Sequence, residues 1–155
     1  MSDPYATHLP ILKALSEFVP LRRVLEYGAG DYSTPFFLSL PDLKRLVSVE
    51  DDEEWATKRH VCHEVVTEAP EEDFDFVLVD DGRDSAARLL TIEAALAAPH
   101  PPTAIHDAEV YAAAIKQHAG YRFTFRFSTP HTALCWPERP DLDLTALAQR
   151  VAELT

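Results

Sequence analysis

Four short apolar runs in the sequence each end on an acid or a histidine. Glu26 precedes Gly28-Ala29-Gly30, and Glu50 closes Leu46-Val47-Ser48-Val49. Asp80-Asp81 follows Phe76-Val77-Leu78-Val79, and His106-Asp107 follows Thr103-Ala104-Ile105. One acid in such a place is what a solvated loop collects; four together point to a polar ligand. Glu50 stands 22 positions after Gly28, where a carboxylate can accept hydrogen bonds from both hydroxyls of a ribose. A dinucleotide would call for G-x-G-x-x-G with its pyrophosphate at the helix N-terminus. Here Ser33 occupies the third glycine position, and Glu26 before the turn would disfavour a pyrophosphate. No G-K-[ST] follows, which excludes a phosphate loop of that kind. A zwitterionic amino acid attached to adenosine tolerates the arrangement: backbone N–H groups meet its carboxylate, and nearby acids meet its ammonium.

The last of the four runs carries the best-placed base. His106 can accept a proton near neutral pH, and Asp107 could orient it or act itself. The plainer alternative has His106 bonding backbone at a strand end. A divalent metal held by Asp80 or Asp81 with Asp107 is a disfavoured alternative, because His-Asp stands where an Asp-Asn pair would be expected. Arg83 could clamp an anionic substrate, or pair with Asp81 or Asp84 at the surface.

These residues need strands that end together. Residues 7–19 have helical spacing, with Ile11, Leu15 and Phe18 on one side, and Pro20 ends them. Strands are predicted over 24–27, 46–50, 61–66, 75–80 and 103–107. Thr34-Pro35 reads as a hydroxyl cap with proline at the first helical position. Acids in the first turn favour a helix over 51–58. Ser85 is placed to cap a helix through Ala98, and another is expected over 109–118, closed by Gly120. Tyr121, Phe123, Phe125 and Phe127 alternate with polar residues, as in a half-exposed strand. Residues 132–136 return as its partner, and a terminal helix carries Leu144, Leu147, Val151 and Leu154. Alternating strands and helices imply a parallel sheet covered on both faces, here finished by an antiparallel hairpin. Ligands bind such sheets at the carboxyl ends of the strands.

The chain has 155 residues, a length that suits one domain, and 46% of them are hydrophobic, which argues against disorder. Its formal charge of −12, from 26 acidic against 14 basic residues, would repel nucleic acid in the absence of a basic cluster. No apolar run reaches membrane-spanning length, and MSDPYATH lacks the pattern of a secretory signal, so a cytoplasmic protein is expected. Cys62 and Cys135 read as buried reduced thiols.

With these residues in view, the sequence resembles the class I S-adenosylmethionine-dependent methyltransferases. "VLEYGAGDYST" is similar to their first motif and "LVSVEDDEEW" to their second. "FDFVLVDDGR" looks like their fourth strand and "AIHDAEVY" like the fifth-strand segment of several small members. The resemblance covers nearly the whole chain, and its first two motifs are the more specific. It implies a three-layer Rossmann-like fold with a mostly parallel seven-stranded sheet and a C-terminal antiparallel hairpin. It places Glu26, Gly28, Gly30 and Ser33 around the methionine part of S-adenosylmethionine, or of its product S-adenosylhomocysteine. Glu50 would bind the ribose, Asp51 would approach the adenine edge, and Asp80 would face the methionine or the substrate. Thr67 or Glu68 is the candidate for the remaining adenine contact. The implied activity is methyl transfer, with an oxygen acceptor favoured and His106 and Asp107 as catalytic residues. The acceptor is unidentified: a small molecule, a glycan or a protein. With no inserted cap, the site would be open, which fits a large acceptor or a homodimer. The competing reading is a repurposed fold that works through partners without catalysis.

Overall fold

The computed structural model describes residues 3–82 and 84–155. Seven strands form one sheet in the order β3-β2-β1-β4-β5-β7-β6. In chain order they are β1 (Arg23–Tyr27), β2 (Arg45–Val49), β3 (His63–Val66), β4 (Phe76–Val79), β5 (Thr103–His106), β6 (Tyr121–Phe125) and β7 (Thr132–Trp136). The first five run parallel, and β7 lies antiparallel to both β5 and β6. This is the topology the alternating pattern implied. The strand order reverses beside β1, so the ends of β1, β2 and β4 border one crevice.

Among the described residues, five α-helices cover the two faces: α1 (Leu9–Phe18), α2 (Ser33–Leu38), α3 (Ser85–Ala95), α4 (Ala112–His118) and α5 (Leu144–Leu154). Strand side chains alternate between two cores. Val24, Leu46, Phe76, Leu78 and Leu134 pack with Leu12, Leu15, Phe37, Leu147 and Val151. Leu25, Val47, Val77, Val79 and Ile105 pack with Ile92, Leu96, Tyr111 and Ile115 on the other face. The central strands are therefore continuous apolar runs, as a doubly covered sheet requires. Cys135 is buried and free, while Cys62, expected to be buried, is half-buried.

Several expected boundaries moved. Residues 51–58 form no helix, only a turn at 53–55. The Asp52 carboxylate accepts a hydrogen bond from the Glu54 N–H at 2.9 Å, so the side chain competes with helical backbone bonding. Positions 51–60 are all exposed, and without an apolar stripe to bury, a short helix gains too little to form. Asp84, not Ser85, caps α3, accepting from the Ala86 and Ala87 N–H groups at 3.0 Å. α4 starts at Ala112, later than 109. Gly120 does not close it in the left-handed conformation. A Cβ there would lie 1.7 Å from the Pro137 carbonyl oxygen, so glycine permits the hairpin's close approach.

Candidate functional site

The glycine turn after β1 is shaped by contacts on both sides. Gly28 has φ of +91°, and a Cβ there would stand 2.6 Å from the Asp80 carbonyl oxygen. Conformation and space both demand glycine, and the result is close packing of the β1 and β4 ends. The Ala29 N–H donates to Glu50 Oε2 at 3.1 Å, and the Gly30 N–H donates to Thr34 Oγ1 at 3.0 Å. The Arg59 guanidinium donates to the Gly30 carbonyl at 3.2 Å. The Gly28 N–H donates to the Val49 carbonyl at 2.9 Å, so all three of the turn's donors are taken by protein oxygens. The carboxylate of Glu50 serves the turn, and it also accepts from the Asp52 N–H at 2.9 Å.

Glu26 does not line the crevice. It is fully buried under the turn, opposite Ser48 in the β1–β2 register. Three hydroxyls donate to its carboxylate: Ser33 at 3.0 Å, Thr34 at 2.6 Å and Ser48 at 2.5 Å. Thr34, expected as a helix cap, is inside α2 and ties the Gly30 N–H to this carboxylate. His63 lies 2.7 Å from Ser48 Oγ through Nε2, and its Nδ1 accepts from the Arg59 N–H at 3.1 Å. Because the Ser48 hydroxyl donates to Glu26, His63 Nε2 carries the proton and donates to Ser48. Every hydrogen in the chain therefore points toward Glu26.

Burial pushes the Glu26 carboxyl up to about 7, against the pull of the three hydroxyls. An acid whose folded pKa exceeds its unfolded value binds more protons when folded. Its contribution to stability is therefore lost as pH rises from about 4.5 through about 7. Glu26→Gln should flatten that loss. Urea unfolding at about pH 5 and about pH 8 should show wild type losing on the order of 3 kcal/mol more than the variant, at about 1.4 kcal/mol per unit. Parallel pH dependence of the two proteins would refute a charged Glu26 as the cause.

Beyond the turn lies a cavity of 980 Å³, within the range of small-molecule sites. Gly28, Gly30, Ser33, Glu50, Asp51, Asp80, His106 and Asp107 line it as a group. Thr67 and Glu68 do not. Trp55, from the turn after β2, does. Asp3, Pro4, Tyr5 and His8 complete the wall, with the Tyr32 hydroxyl donating to the Asp3 carboxylate. This N-terminal segment carried no chemical signal beyond its helical spacing.

The ends of β4 and β5 converge on Arg88 of α3, which is 6% exposed. Its guanidinium meets Asp107 at 2.7 Å, Asp80 at 3.2 Å and Asp81 at 3.5 Å. The acids considered for a metal thus surround an internal cation. Asp107 has φ of +56°, a left-handed conformation that Asp tolerates better than most residues. Its carboxylate faces Arg88, so it does not serve mainly to orient His106. That part falls to Asp80, whose Oδ1 lies 2.9 Å from His106 Nδ1. His106 Nε2 lies 2.9 Å from Thr7 Oγ1. Burial lowers the His106 pKa, but its bond to Asp80 and the nearby acids outweigh burial and raise it. His8 stacks edge-on against His106, with ring centroids 4.9 Å apart. It is 1% exposed, neither ring nitrogen has a hydrogen-bond partner among the described residues, and burial pushes its pKa down to about 4. Arg83 lies outside the described residues.

No family model matches the chain, and no curated protein matches its sequence. Solved structures do match its shape. Human methyltransferase-like protein 13, in complex with S-adenosylhomocysteine, aligns over 97% of this chain and 88% of its own, with a TM-score of 0.60 at 14% identity. The methyltransferase domain of bacterial CtHen1 aligns over 86% of this chain and 100% of its own, with a TM-score of 0.64 at 7% identity. The O-methyltransferase TomG from Streptomyces achromogenes, in complex with S-adenosylmethionine, covers 90% of this chain and 82% of its own, with a TM-score of 0.56 at 18% identity. Sheet order, hairpin and crevice together give this chain the Rossmann-like fold of the class I S-adenosylmethionine-dependent methyltransferases.

Proposed function

We propose that the protein is an S-adenosylmethionine-dependent methyltransferase directed at an oxygen acceptor. One observation carries this reading: the cavity at the strand ends is bordered by acids, with the Glu50 carboxylate on its wall. A dinucleotide's pyrophosphate would meet repulsion there, whereas a ligand with cationic groups and a ribose diol would not. Glu50 accepts two backbone N–H bonds, and a carboxylate has about four lone-pair sites, so two remain for a diol. Gly28 and Gly30 bring backbone to the cavity, and Asp31 and Asp51 stand where an ammonium group could be met. When bound, S-adenosylmethionine supplies an electrophilic methyl group.

Trp55 offers an aromatic face on the same wall and is 37% exposed. It is a better candidate for the adenine contact than Thr67 or Glu68. Trp55→Ala should weaken S-adenosylhomocysteine binding about 10-fold, in line with the roughly 0.5–1.5 kcal/mol of an aromatic pair. Isothermal titration would measure it.

The far wall suits an acceptor hydroxyl. His106, held by Asp80 and Thr7, and the neighbouring His8 present imidazoles at the cavity. A hydroxyl losing its proton during transfer would give it to His8, whose ring nitrogens are unpartnered, because both His106 nitrogens are held, Nδ1 by Asp80 and Nε2 by Thr7. Asp107 acts through Arg88 as a positioning residue.

Calorimetric titration of the full chain with S-adenosylmethionine, S-adenosylhomocysteine and NAD tests the reading. Saturable binding of the first two, and none of NAD, is expected. Radiolabelled methyl transfer to a panel of hydroxyl, amine and carboxylate compounds then tests the acceptor class. Binding to none of the three nucleotides would leave the fold as a repurposed scaffold.

A further inference from the structure

Most of the buried polar groups around the cavity have protein partners that account for them. His8 does not. It follows a 3₁₀ turn at Pro4–Ala6 and stands at the N-cap of α1, with both ring nitrogens buried and without a hydrogen-bond partner. Leaving such atoms unsatisfied costs about 1–3 kcal/mol. A packing role would be met by phenylalanine at no such cost. The nitrogens are not randomly placed either, since His8 Nδ1 lies 3.7 Å from Asp80 Oδ2.

We propose that His8, Asp80 and His106 form a binding site for a divalent transition-metal ion. Each offers one ligand atom, and the three atoms lie within 4.8 Å of one another. A metal with bonds of about 2.0–2.2 Å needs ligand atoms roughly 3.5 Å apart, so the widest pair must close by about 1 Å on binding. Two imidazoles and a carboxylate select ions such as zinc, cobalt or iron(II) over magnesium and calcium. The supporting contacts suit this set. Thr7 Oγ1 donates to the backbone carbonyl of Pro4 or Pro130, at 3.2 Å each, so its lone pairs accept from His106 Nε2–H. That bond occupies Nε2 and leaves His106 Nδ1 as the ligand atom; it faces Asp80 Oδ1 at 2.9 Å, where an ion would replace the proton between them. On the other side, Arg88 Nη2 holds Asp80 Oδ1 at 3.2 Å, leaving Oδ2 toward His8. The surroundings are rich in negative charge, since three carboxylates, Asp80, Asp81 and Asp107, lie within 3.5 Å of the Arg88 guanidinium.

The site lies on the cavity wall, so an ion there would keep positions open for a ligand oxygen. Its use in methyl transfer rests on the function proposed above: coordination would lower the pKa of an acceptor hydroxyl, in place of direct proton transfer to a histidine. The binding itself does not depend on that reading.

The test uses the full chain, stripped with a chelator and titrated with cobalt(II), zinc and magnesium, without any nucleotide. One equivalent of cobalt should bind with visible d–d absorption, zinc should displace it, and magnesium should not. His8→Phe should fold, since it removes only unpartnered nitrogens, and its melting temperature should be at least that of metal-free wild type. Its cobalt affinity should fall by more than about 100-fold, the upper end of what losing a mere supporting contact costs. His60 Nδ1 lies 3.1 Å from Cys62 Sγ at the surface and is the competing location. Binding that survives His8→Phe, or that carries a thiolate-to-cobalt band, would place the ion there and overturn the proposal. So would the absence of stoichiometric binding to wild type. A failure of nucleotide binding with cobalt binding intact would instead count against the methyltransferase reading alone.

Discussion

Glu50→Ala is expected to weaken S-adenosylhomocysteine binding by at least about 100-fold, the equivalent of roughly 3 kcal/mol. Two losses combine. The first is direct: two carboxylate lone-pair sites available to a ribose diol disappear, and hydrogen bonds to charged groups contribute about 1.5–3 kcal/mol each. The second is indirect. Glu50 Oε2 accepts from the Ala29 N–H at 3.1 Å, so alanine also frees the glycine turn. Glu50→Gln separates the two, because its amide oxygen can still hold Ala29 while one acceptor is lost. It should fall between wild type and alanine. Stability should change little in either variant, since the side chain lies at the rim of the cavity and not in the core. Titration calorimetry with a parallel urea melt checks both statements. Full affinity in Glu50→Ala would remove the ribose from this end of the sheet.

Residues with an obvious local signal were legible in the sequence. Apolar runs such as Phe76–Val79 must be buried on both faces, so they disclosed the central strands and, with the intervening helices, the parallel order. Cavity residues at strand ends could be found because a strand end has one place to go. Glu26 was also recognisable as important, but its direction was not. Residue 26 points to the same face as Val24, under α2, and only the register opposite Ser48 reveals three hydroxyls waiting there. The 51–58 segment failed for the opposite reason. Its acids suit a helix N-terminus, yet helix formation also needs a face to bury, and Trp55 faces the cavity. His8 and Thr7 were hidden because nothing in sequence ties residues 7–8 to residue 106; the tertiary fold brings them together. Arg88 had an indirect signal. Asp80, Asp81 and Asp107 at adjacent strand ends demand a cation, and the first turn of the following helix is where one can reach them.

That demand sets the largest expected effect on stability. Arg88→Ala should destabilise the protein by about 3–5 kcal/mol, the usual cost of removing one partner from a buried ion cluster. Arg88 and Asp81 are 6% and 3% exposed, so water cannot replace the guanidinium without opening the site. Its nitrogens meet three carboxylates in three directions, and it also lies 3.4 Å from the Val79 and His106 carbonyls. Lysine offers one ammonium and cannot cover that fork, so Arg88→Lys should recover less than half of the loss. Asp107 adds a second cost. Its left-handed backbone, with φ of +56°, is an uncommon state for a residue other than glycine, and such states cost of order 1–3 kcal/mol. The 2.7 Å bond to Arg88 helps to hold it. Combining Arg88→Ala with Asp107→Gly should therefore return part of the stability, through relief of both charge and strain, in a non-additive cycle. Urea unfolding of the four proteins measures this. Additive losses, or a loss below about 1 kcal/mol for Arg88→Ala, would mean that the cluster is solvated and that Arg88 does not hold the β4 and β5 ends in place.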